Sequence, residues 1–432
     1  MWAWVLGLGA RTVSIRFLVA AIVGVATSVA VAGCSQNPDP ASETWPIETS
    51  GTASPPSGSP GPQSRTRSDL TFVSLPDFLN QDVGTVRQAS GWRPRLGNAT
   101  TANFESAIST VLDDVASYHP DHVLVAGDLV EGEWTRQKFR TLFGHPDTLK
   151  GTKHTIRDGA DTFYPQWKQR FAARGLTVHA AVGDHELGDN PWEGRKLRSV
   201  KTFKRMFAKH FTTNQQGQPR YGMRPRNSGF ARTAYAVDLG ADTLLVTLDV
   251  FRRDRNGVEP TVTGRQLRWL DRTLQRAHDR GVQTIIVQGH TPVIGPVRSR
   301  FSSGLMLRSG RSSQLWQVLV RNKVDLYLAG EVHDVTTLRR DGVTQIAHGA
   351  LLYKGQANFL VGVVRGDRLQ LRLREYPQGN TYGARTSRYN STRGVTLKAR
   401  SKTTGSMTIN RRSGQIVRSS GLLRPLRQSA AD

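Results

Sequence analysis

Cysteine is nearly absent from this chain: Cys34 is the only one in 432 residues. A lone cysteine excludes an internal disulfide and any CxxC zinc site. Acidic residues are outnumbered, 34 Asp and Glu against 59 Lys and Arg, for a formal net charge of +25. That balance favours polyanions, anionic lipid surfaces or phosphorylated substrates without choosing among them, and a solvated Arg-rich surface gives the same count. Long apolar runs are scarce too. Only residues 17–32 approach the length of a spanning segment, and no repeat of fixed period occurs. What remains, 37% hydrophobic and 22% charged, is the composition of a globular body with flexible ends. The length suffices for one large domain or two ordinary ones, each with a core.

The position of Cys34 is informative. Arg11 and Arg16 supply a positive flank to the apolar run, which has signal-peptide length and is short for a spanning helix. The run ends in Val31-Ala32-Gly33-Cys34, which resembles the bacterial lipobox. Cleavage before the cysteine would leave its thiol N-terminal and diacylglycerol-modified. A plain signal peptide or an uncleaved anchor is the alternative. Residues 35–68 are dominated by Pro, Ser, Thr and Gly and read as a disordered tether. The organisation expected is a lipoprotein signal peptide (1–34), a tether (35–68), a folded domain (69–376) and a basic extension (377–432). Lipidated Cys34 would hold the domain at the extracytoplasmic face of the cell membrane.

Six short runs rich in Val, Ile, Leu and Thr read as buried strands: 70–75, 122–126, 178–182, 243–248, 284–288 and 324–329. Helical spacing lies between them, at Phe104, Ala107, Ile108, Val111, Leu112 and Val115, and at Leu267, Leu270 and Leu274 behind a Thr263-Gly264 start. The alternation predicts a layered α/β core. Two long insertions, about residues 133–176 and 188–233, are rich in Lys, Arg, Trp and Gly and are expected near the site as lids or walls.

Metal-type residues gather where five of these runs end. Asp77 follows the first and Gly127-Asp128 the second. Gly183-Asp184-His185-Glu186, Gly289-His290 and Gly330-Glu331-Val332-His333 follow the third, fifth and sixth. Open α/β sheets bind ligands at the carboxyl ends of their strands. Burying so many Asp and His together without a metal would be costly. Over about residues 69–376, these motifs in this order resemble the calcineurin-like metallophosphoesterase superfamily, whose pattern is DxH, GDxx(D/Y), GN(H)(E/D), GH and GHxH. The resemblance implies an α/β fold of two packed mixed β-sheets flanked by helices, a four-layer sandwich, with a two-metal site at one edge. It also implies a metal-dependent phosphoric ester hydrolase, a phosphatase or phosphodiesterase. In such a site two cations about 3.5–4 Å apart share a hydroxide that attacks phosphorus in line. Carried over residue by residue, the resemblance gives one metal Asp77, Asp128 and His333. It gives the other Asp128, Asp184, His290 and Glu331, with Asp128 as the bridge. His185 matches the histidine that binds no metal and serves the transition-state oxygens or the leaving alkoxide. Glu186, its expected catalytic companion, would orient that loop.

The departures from the pattern matter. DxH reads Asp77-Phe78-Leu79, Asp184 stands where the pattern has Asn, and Glu331 takes the position of the first His of GHxH. Purple acid phosphatases also lack the DxH histidine and recruit a ligand three residues past the GD aspartate. That position is Glu131 here, which makes Glu131 the expected replacement ligand. Asn80 and Asp82 are alternatives, and Asp82 also fits a plain turn cap. So oxygen-rich a donor set shifts preference toward Mn, Fe or Mg and away from a Zn-only site. It would hold two divalent ions, or one trivalent with one divalent. A decayed site with one metal or none is the opposing reading, but decay would lose charge, and here acids replace His and Asn.

Other residues are weaker candidates. His119, His122, His145, His154, His179, His210 and His278 show no partner pattern and read as surface or loop residues. His348 follows a further strand and is a candidate to approach the site. Asp249 reads as a cap before a ligand, and Trp92, Trp134 and Trp192 as core before substrate wall. Past Tyr376 there are 11 Lys and Arg and the single acid Asp432. Alternating segments at 394–399 and 406–410 predict a small β-rich extension with a basic face, suited to anionic lipid or an envelope polymer. Arg without interleaved aromatics is a poor nucleic-acid signature. Two rival functions stay open: a lipoprotein that holds a phosphorylated ligand without hydrolysis, and a cell-surface nuclease or other phosphodiesterase.

Overall fold

The computed structural model describes residues 69–75, 77, 102–300, 302–353, 356–376 and 400–426. The 1–34 and 35–68 segments with Cys34, and Asn80, Asp82, Trp92 and the 394–399 segment, lie outside the described residues. Among the described residues, no helix is long and apolar enough to cross a membrane.

The chain begins with strand β1 (Leu70–Leu75), helix α1 (Ala102–Ala116), β2 (His122–Val125), α2 (Gln137–Leu142), α3 (Leu149–Ala172), β3 (Val178–Ala180) and α4 (Gly194–Phe207). It continues with β4 (Tyr235–Gly240), β5 (Thr243–Thr247), β6 (Phe251–Arg253), β7 (Val258–Pro260), α5 (Gly264–Asp279), β8 (Thr284–Gln288) and α6 (Gln314–Arg321). There follow β9 (Leu326–Ala329), β10 (Thr336–Arg340), β11 (Val343–Ala347), β12 (Leu351–Tyr353), β13 (Gln356–Arg365), β14 (Arg368–Glu375), β15 (Lys402–Asn410) and β16 (Ile416–Gly421). One large sheet has the order β16-β15-β14-β13-β1-β2-β3, with β12 on β13, the second large sheet has the order β10-β11-β9-β8-β5-β4, and β6 and β7 pair separately. Both large sheets are mixed. In the first, β1, β2 and β3 are parallel neighbours while β13 joins β1 antiparallel; in the second, β5, β8, β9 and β11 run parallel.

Alternation along the strands decides the layers. Leu70 and Phe72 of β1, Leu124 of β2, Leu245 of β5, Ile286 of β8 and Leu326 and Leu328 of β9 share one apolar cluster drawn from both sheets. Their neighbours Val73, Leu75, Val123, Val125, Val246 and Val287 join a second cluster with helix residues such as Val111, Leu112, Trp167 and Leu270. The two sheets therefore pack face to face with helices outside, the architecture the motifs implied. Each fully buried Leu or Ile contributes roughly 1.5–3 kcal/mol. A one-residue slip would turn both sets around, so the strand register is tightly held.

The insertions supply many of the aromatic residues of the second cluster. Trp134 packs against the rings of Phe163, Tyr164 and Phe203, and Trp192 against Phe251. α3 carries Phe163 and Tyr164 and α4 carries Phe203, and a single π-helical turn follows at Ala208–Thr212. Past Tyr376, β15 and β16 continue the first sheet beyond β14, and Met407 and Ile409 enter the inter-sheet cluster. Arg411 is buried there, bonded to Thr284 Oγ1 at 2.6 Å and the Gly366 carbonyl at 2.8 Å, so one of the basic residues joins the two sheets.

Of the histidines expected at the surface, one is buried and its neighbour is half-buried. The parallel pairing of β2 and β3 puts His122 and His179 side by side, His179 Nε2 3.1 Å from His122 Nδ1. His179 is buried, its other ring nitrogen 3.2 Å from the Tyr221 hydroxyl. Pairing between strands distant in sequence leaves no trace in the pattern of either one alone.

Candidate metal centre

The loops after β1, β2, β3, β8 and β9 converge where the carboxyl ends of the two sheets meet. Their backbone is unusual. Asp77 (φ 38°), Asp128 (φ 55°), Glu331 (φ 67°) and His333 (φ 52°) all adopt left-handed conformations. Residues with a Cβ rarely do so, and such strain collects where side chains must be aimed at a site. Gly127 (φ 103°) lets two loops touch: a Cβ there would lie 2.7 Å from the Gly183 backbone and from His290 Nδ1. A Cβ on Gly183 would in turn meet Asp128 Oδ1 at 2.1 Å.

Glu186 ties the same loops together. Its Oε2 accepts from the Asp128 and Gly183 backbone N–H groups, both at 2.8 Å, and its Oε1 from Leu129 N–H at 2.9 Å. The carboxylate is spent on three backbone donors, which makes Glu186 a positioning residue.

His290 sits at the centre of the acids. Its Nδ1 lies 2.8 Å from the carbonyl oxygen of Ala126. A carbonyl can only accept, so this nitrogen carries the hydrogen. The other nitrogen, Nε2, lies 3.3 Å from Asp128 Oδ1, 3.2 Å from Asp184 Oδ1 and 3.3 Å from Glu331 Oε2. Three overlapping trios have ligand atoms within 4.8 Å of one another: Asp77, Asp128 and His290; Asp128, Asp184 and His185; and Asp184, His290 and Glu331. Asp77, Asp128, Asp184, His290 and Glu331 are each at most 2% exposed. His333 Nε2 is 3.9 Å from Asp77 Oδ2.

The electrostatics call for positive charge. Burial pushes the Asp77 carboxyl up to about 7 against the pull of His290. Burial, then the negative charge of Asp184, pushes Asp128 well above the usual carboxylate range. Burial opposes the charge on Asp184 as well, but its hydrogen bond with His290 and the charge of His185 hold it below its ordinary value. Burial alone would lower both His290 and His185; the surrounding carboxylates, Asp128 foremost, raise both well above the usual imidazole range. Asp77 Oδ2 is buried and finds no hydrogen-bond partner among the described residues. Buried carboxylates crowded around an imidazole whose hydrogen is turned outward form a donor set that fits cations. Without positive charge the same cluster would be costly to bury.

Beside the acids a cleft of about 240 Å³ is lined by Asp128, Asp184, His185, Glu331 and His333, together with Asp189, Asn190, Ser302 and Ser303. His185 Nδ1 donates to the carbonyl of Glu131 at 2.8 Å, and its Nε2 stands 3.8 Å from Asp128 Oδ2 and 3.9 Å from Asp189 Oδ1. Asn190 donates to Asp184 Oδ2 at 2.8 Å. Glu331 Oε1 accepts from Ser303 Oγ at 2.5 Å and Leu305 N–H at 3.0 Å, which leaves Oε2 for the centre.

Asp77, Asp128, Asp184, His290 and Glu331 thus come together, with His185 and His333 beside them. The Glu131 side chain is buried but belongs to none of the three trios. His348 is bonded to Ser74 at 2.9 Å, also outside the trios. Asp249 is committed to Lys204 Nζ at 2.7 Å, Thr233 Oγ1 at 2.6 Å and the Phe251 N–H, the cap-like alternative. Asp189, Asn190 and Ser303 were missed. The Gly188-Asp189-Asn190-Pro191 turn directly behind the third motif was the available signal.

A family model for calcineurin-like phosphoesterases matches residues 101–335. Among solved structures, PhoD is 12% identical over 85% of this chain and 75% of its own, with a TM-score of 0.51, a likeness of fold. A dimetal phosphatase from Danio rerio is 16% identical over 71% of this chain and 96% of its own, with a TM-score of 0.46. GAP50 of Plasmodium is 10% identical over 84% and 90%, with a TM-score of 0.39. No curated protein sequence matches the chain.

Proposed function

The chain belongs to the calcineurin-like phosphoesterase family, and from that premise we propose that it is a metal-dependent phosphoester hydrolase held at the outer face of a membrane. The observation that carries the hydrolase reading is the setting of His290. Its Nδ1 hydrogen is bound to Ala126, and its Nε2 faces three carboxylate oxygens at 3.2–3.3 Å.

In this reading Asp77, Asp128 and His333 hold one ion and Asp128, Asp184, His290 and Glu331 the other, with Glu131 as the added ligand of the first. Cations so placed supply Lewis acidity toward phosphoryl oxygens and lower the pKa of water. The chain's own residues do the rest. Ala126 and Asn190 orient His290 and Asp184, Ser303 orients Glu331, and Glu186 holds the β2 and β3 loops in register. His185, fixed through Nδ1 to the Glu131 carbonyl, offers Nε2 to a phosphoryl oxygen or to the leaving alkoxide. The acid-rich donor set suits Mn, Fe or Mg, with Zn less favoured.

The direct test is hydrolysis of an aryl phosphate and its diester by the full-length protein with added Mn, Fe, Mg or Zn. Turnover that disappears in Asp128→Asn supports the reading. Folded protein that turns over neither substrate with any of the metals refutes it and leaves a phospho-ligand binder. The anchor rests on the lipobox-like end of the 17–32 run. Cys34→Ser should release the protein from the membrane fraction, and retention would remove Cys34 from that role.

A further inference from the structure

A second cleft, of about 720 Å³, lies between the 222–227 loop and helix α5. It shares no lining residue with the cleft at the metal centre. Seven of its thirteen lining residues are arginine, and none is acidic. Five of the arginines come from α5 and its end. Trp269, Leu270, Leu274 and Ala277 bury one face of that helix. Arg265, Arg268, Arg272, Arg276 and Arg280 recur at intervals of three or four and form a stripe along the cleft. At helical rise the stripe is about 22 Å long. Arg224 and Arg226 face it from the loop.

Little in the protein neutralises this charge. Arg280 pairs with Asp238 at 3.1 Å, and Arg265 donates to the Asn227 carbonyl. Of the two acids within the helix, Asp271 and Asp279, Asp271 pairs instead with Arg321 at 3.0 Å. Among the described residues, no carboxylate lies within ion-pair distance of Arg224, Arg226, Arg268, Arg272 or Arg276. Arg224 Nε is buried there without a hydrogen-bond acceptor.

Shape and composition narrow the ligand. A single phosphate would occupy two or three of seven guanidinium groups. A flat bilayer surface cannot follow a concave floor. A nucleic acid would want rings to stack its bases on. Trp269 is 8% exposed, and Tyr221 is already stacked on Tyr235 with ring centroids 3.8 Å apart. A linear anion that repeats its charge along its length, with no bases, fits a stripe of evenly spaced arginines. We propose that this cleft binds a linear phosphate polymer, successive phosphates lying along α5 and Arg224 and Arg226 closing from the opposite side.

The test is calorimetric titration of the full-length protein with inorganic polyphosphate of graded length, in chelator so that hydrolysis does not consume the probe. Affinity should rise with chain length until the stripe is spanned and fall as salt is added. Arg268, Arg272 and Arg276 are exposed, so the triple Gln variant should fold, which circular dichroism checks. It should bind at least about tenfold more weakly. A charge-matched control, Arg368→Gln with Arg418→Gln and Arg424→Gln, should bind like the parent. Equal loss in both triples would reduce the effect to diffuse surface charge and overturn the site. Orthophosphate bound as tightly as the polymer would overturn the chain-like ligand. Single-stranded DNA or anionic vesicles whose binding, unlike that of polyphosphate, depends on the α5 triple would overturn its chemistry. Asp128→Asn should leave this binding unchanged, so its failure and the failure of the hydrolase reading are separate results.

Discussion

His290 Nδ1 is bonded at 2.8 Å to the carbonyl of Ala126, two residues before Asp128 in the chain. One backbone carbonyl thereby decides which imidazole nitrogen meets the acids, and it lies just before the loop that carries Asp128. His290→Ala should lower metal content by one ion per chain, read by elemental mass spectrometry, and reduce turnover by at least about a hundredfold. Unchanged stoichiometry would take His290 out of the ligand set.

His185 answers a different question. Its Nδ1 is held by a carbonyl and its Nε2 faces the cleft beside Asp128 and Asp189. His185→Ala should reduce turnover by about 10²–10⁴ while the ions stay bound. The loss should shrink for substrates whose leaving group needs no proton. Loss of metal in this variant would contradict the role.

Glu186 is a test of scaffolding. It joins the Asp128, Leu129 and Gly183 backbones through three hydrogen bonds. Glu186→Gln keeps the shape but weakens acceptance, and should cost about 1.5–3 kcal/mol of stability. Its melting temperature should fall even with metals chelated. An unchanged melting curve would show that the loops hold without it.

Stability should also depend on pH through two buried histidines away from the centre. Burial pushes His348 down to about 3 and His179 down to about 4. Both stay neutral in the fold at pH values where the unfolded chain, near 6.5, takes up protons. For a base with a depressed folded pKa, stability is complete above the unfolded value and drains away as pH falls below it. The slope is at most about 1.4 kcal/mol per pH unit for each group. The melting temperature should therefore drop from neutral pH toward pH 5, and His348→Gln should make that drop shallower. An equal slope in the variant would assign the drop to other groups.

What was legible in the sequence follows from how each element is buried. The strands covered on both faces, such as β5 and β8, read as continuous apolar runs with ends near their true positions. The half-buried antiparallel strands β14 to β16 mix polar and apolar residues, and only a fragment of β15 stood out. Asp77, Asp128, Asp184, His290 and Glu331 were visible because polar residues directly past a buried strand have little other reason to be there. Asp189, Asn190 and Ser303 reach the cleft along turns whose path depends on tertiary contacts. The paired His122 and His179, and the arginines gathered from two segments around α5, exist only as neighbours in space.

β1 occupies the middle of its sheet, between β2 and β13, and its Leu70 is matched with Val364. β1 is the first of the described strands, and during synthesis it waits until every strand of the second sheet has been made before β13 can pair with it. In that interval one side of β1 offers bare N–H and C=O groups beside an apolar face, an arrangement that recruits other chains. Pairing across so long a loop is slow as well as late. A chain that stops short of β13 would carry an open sheet edge that no later segment arrives to close.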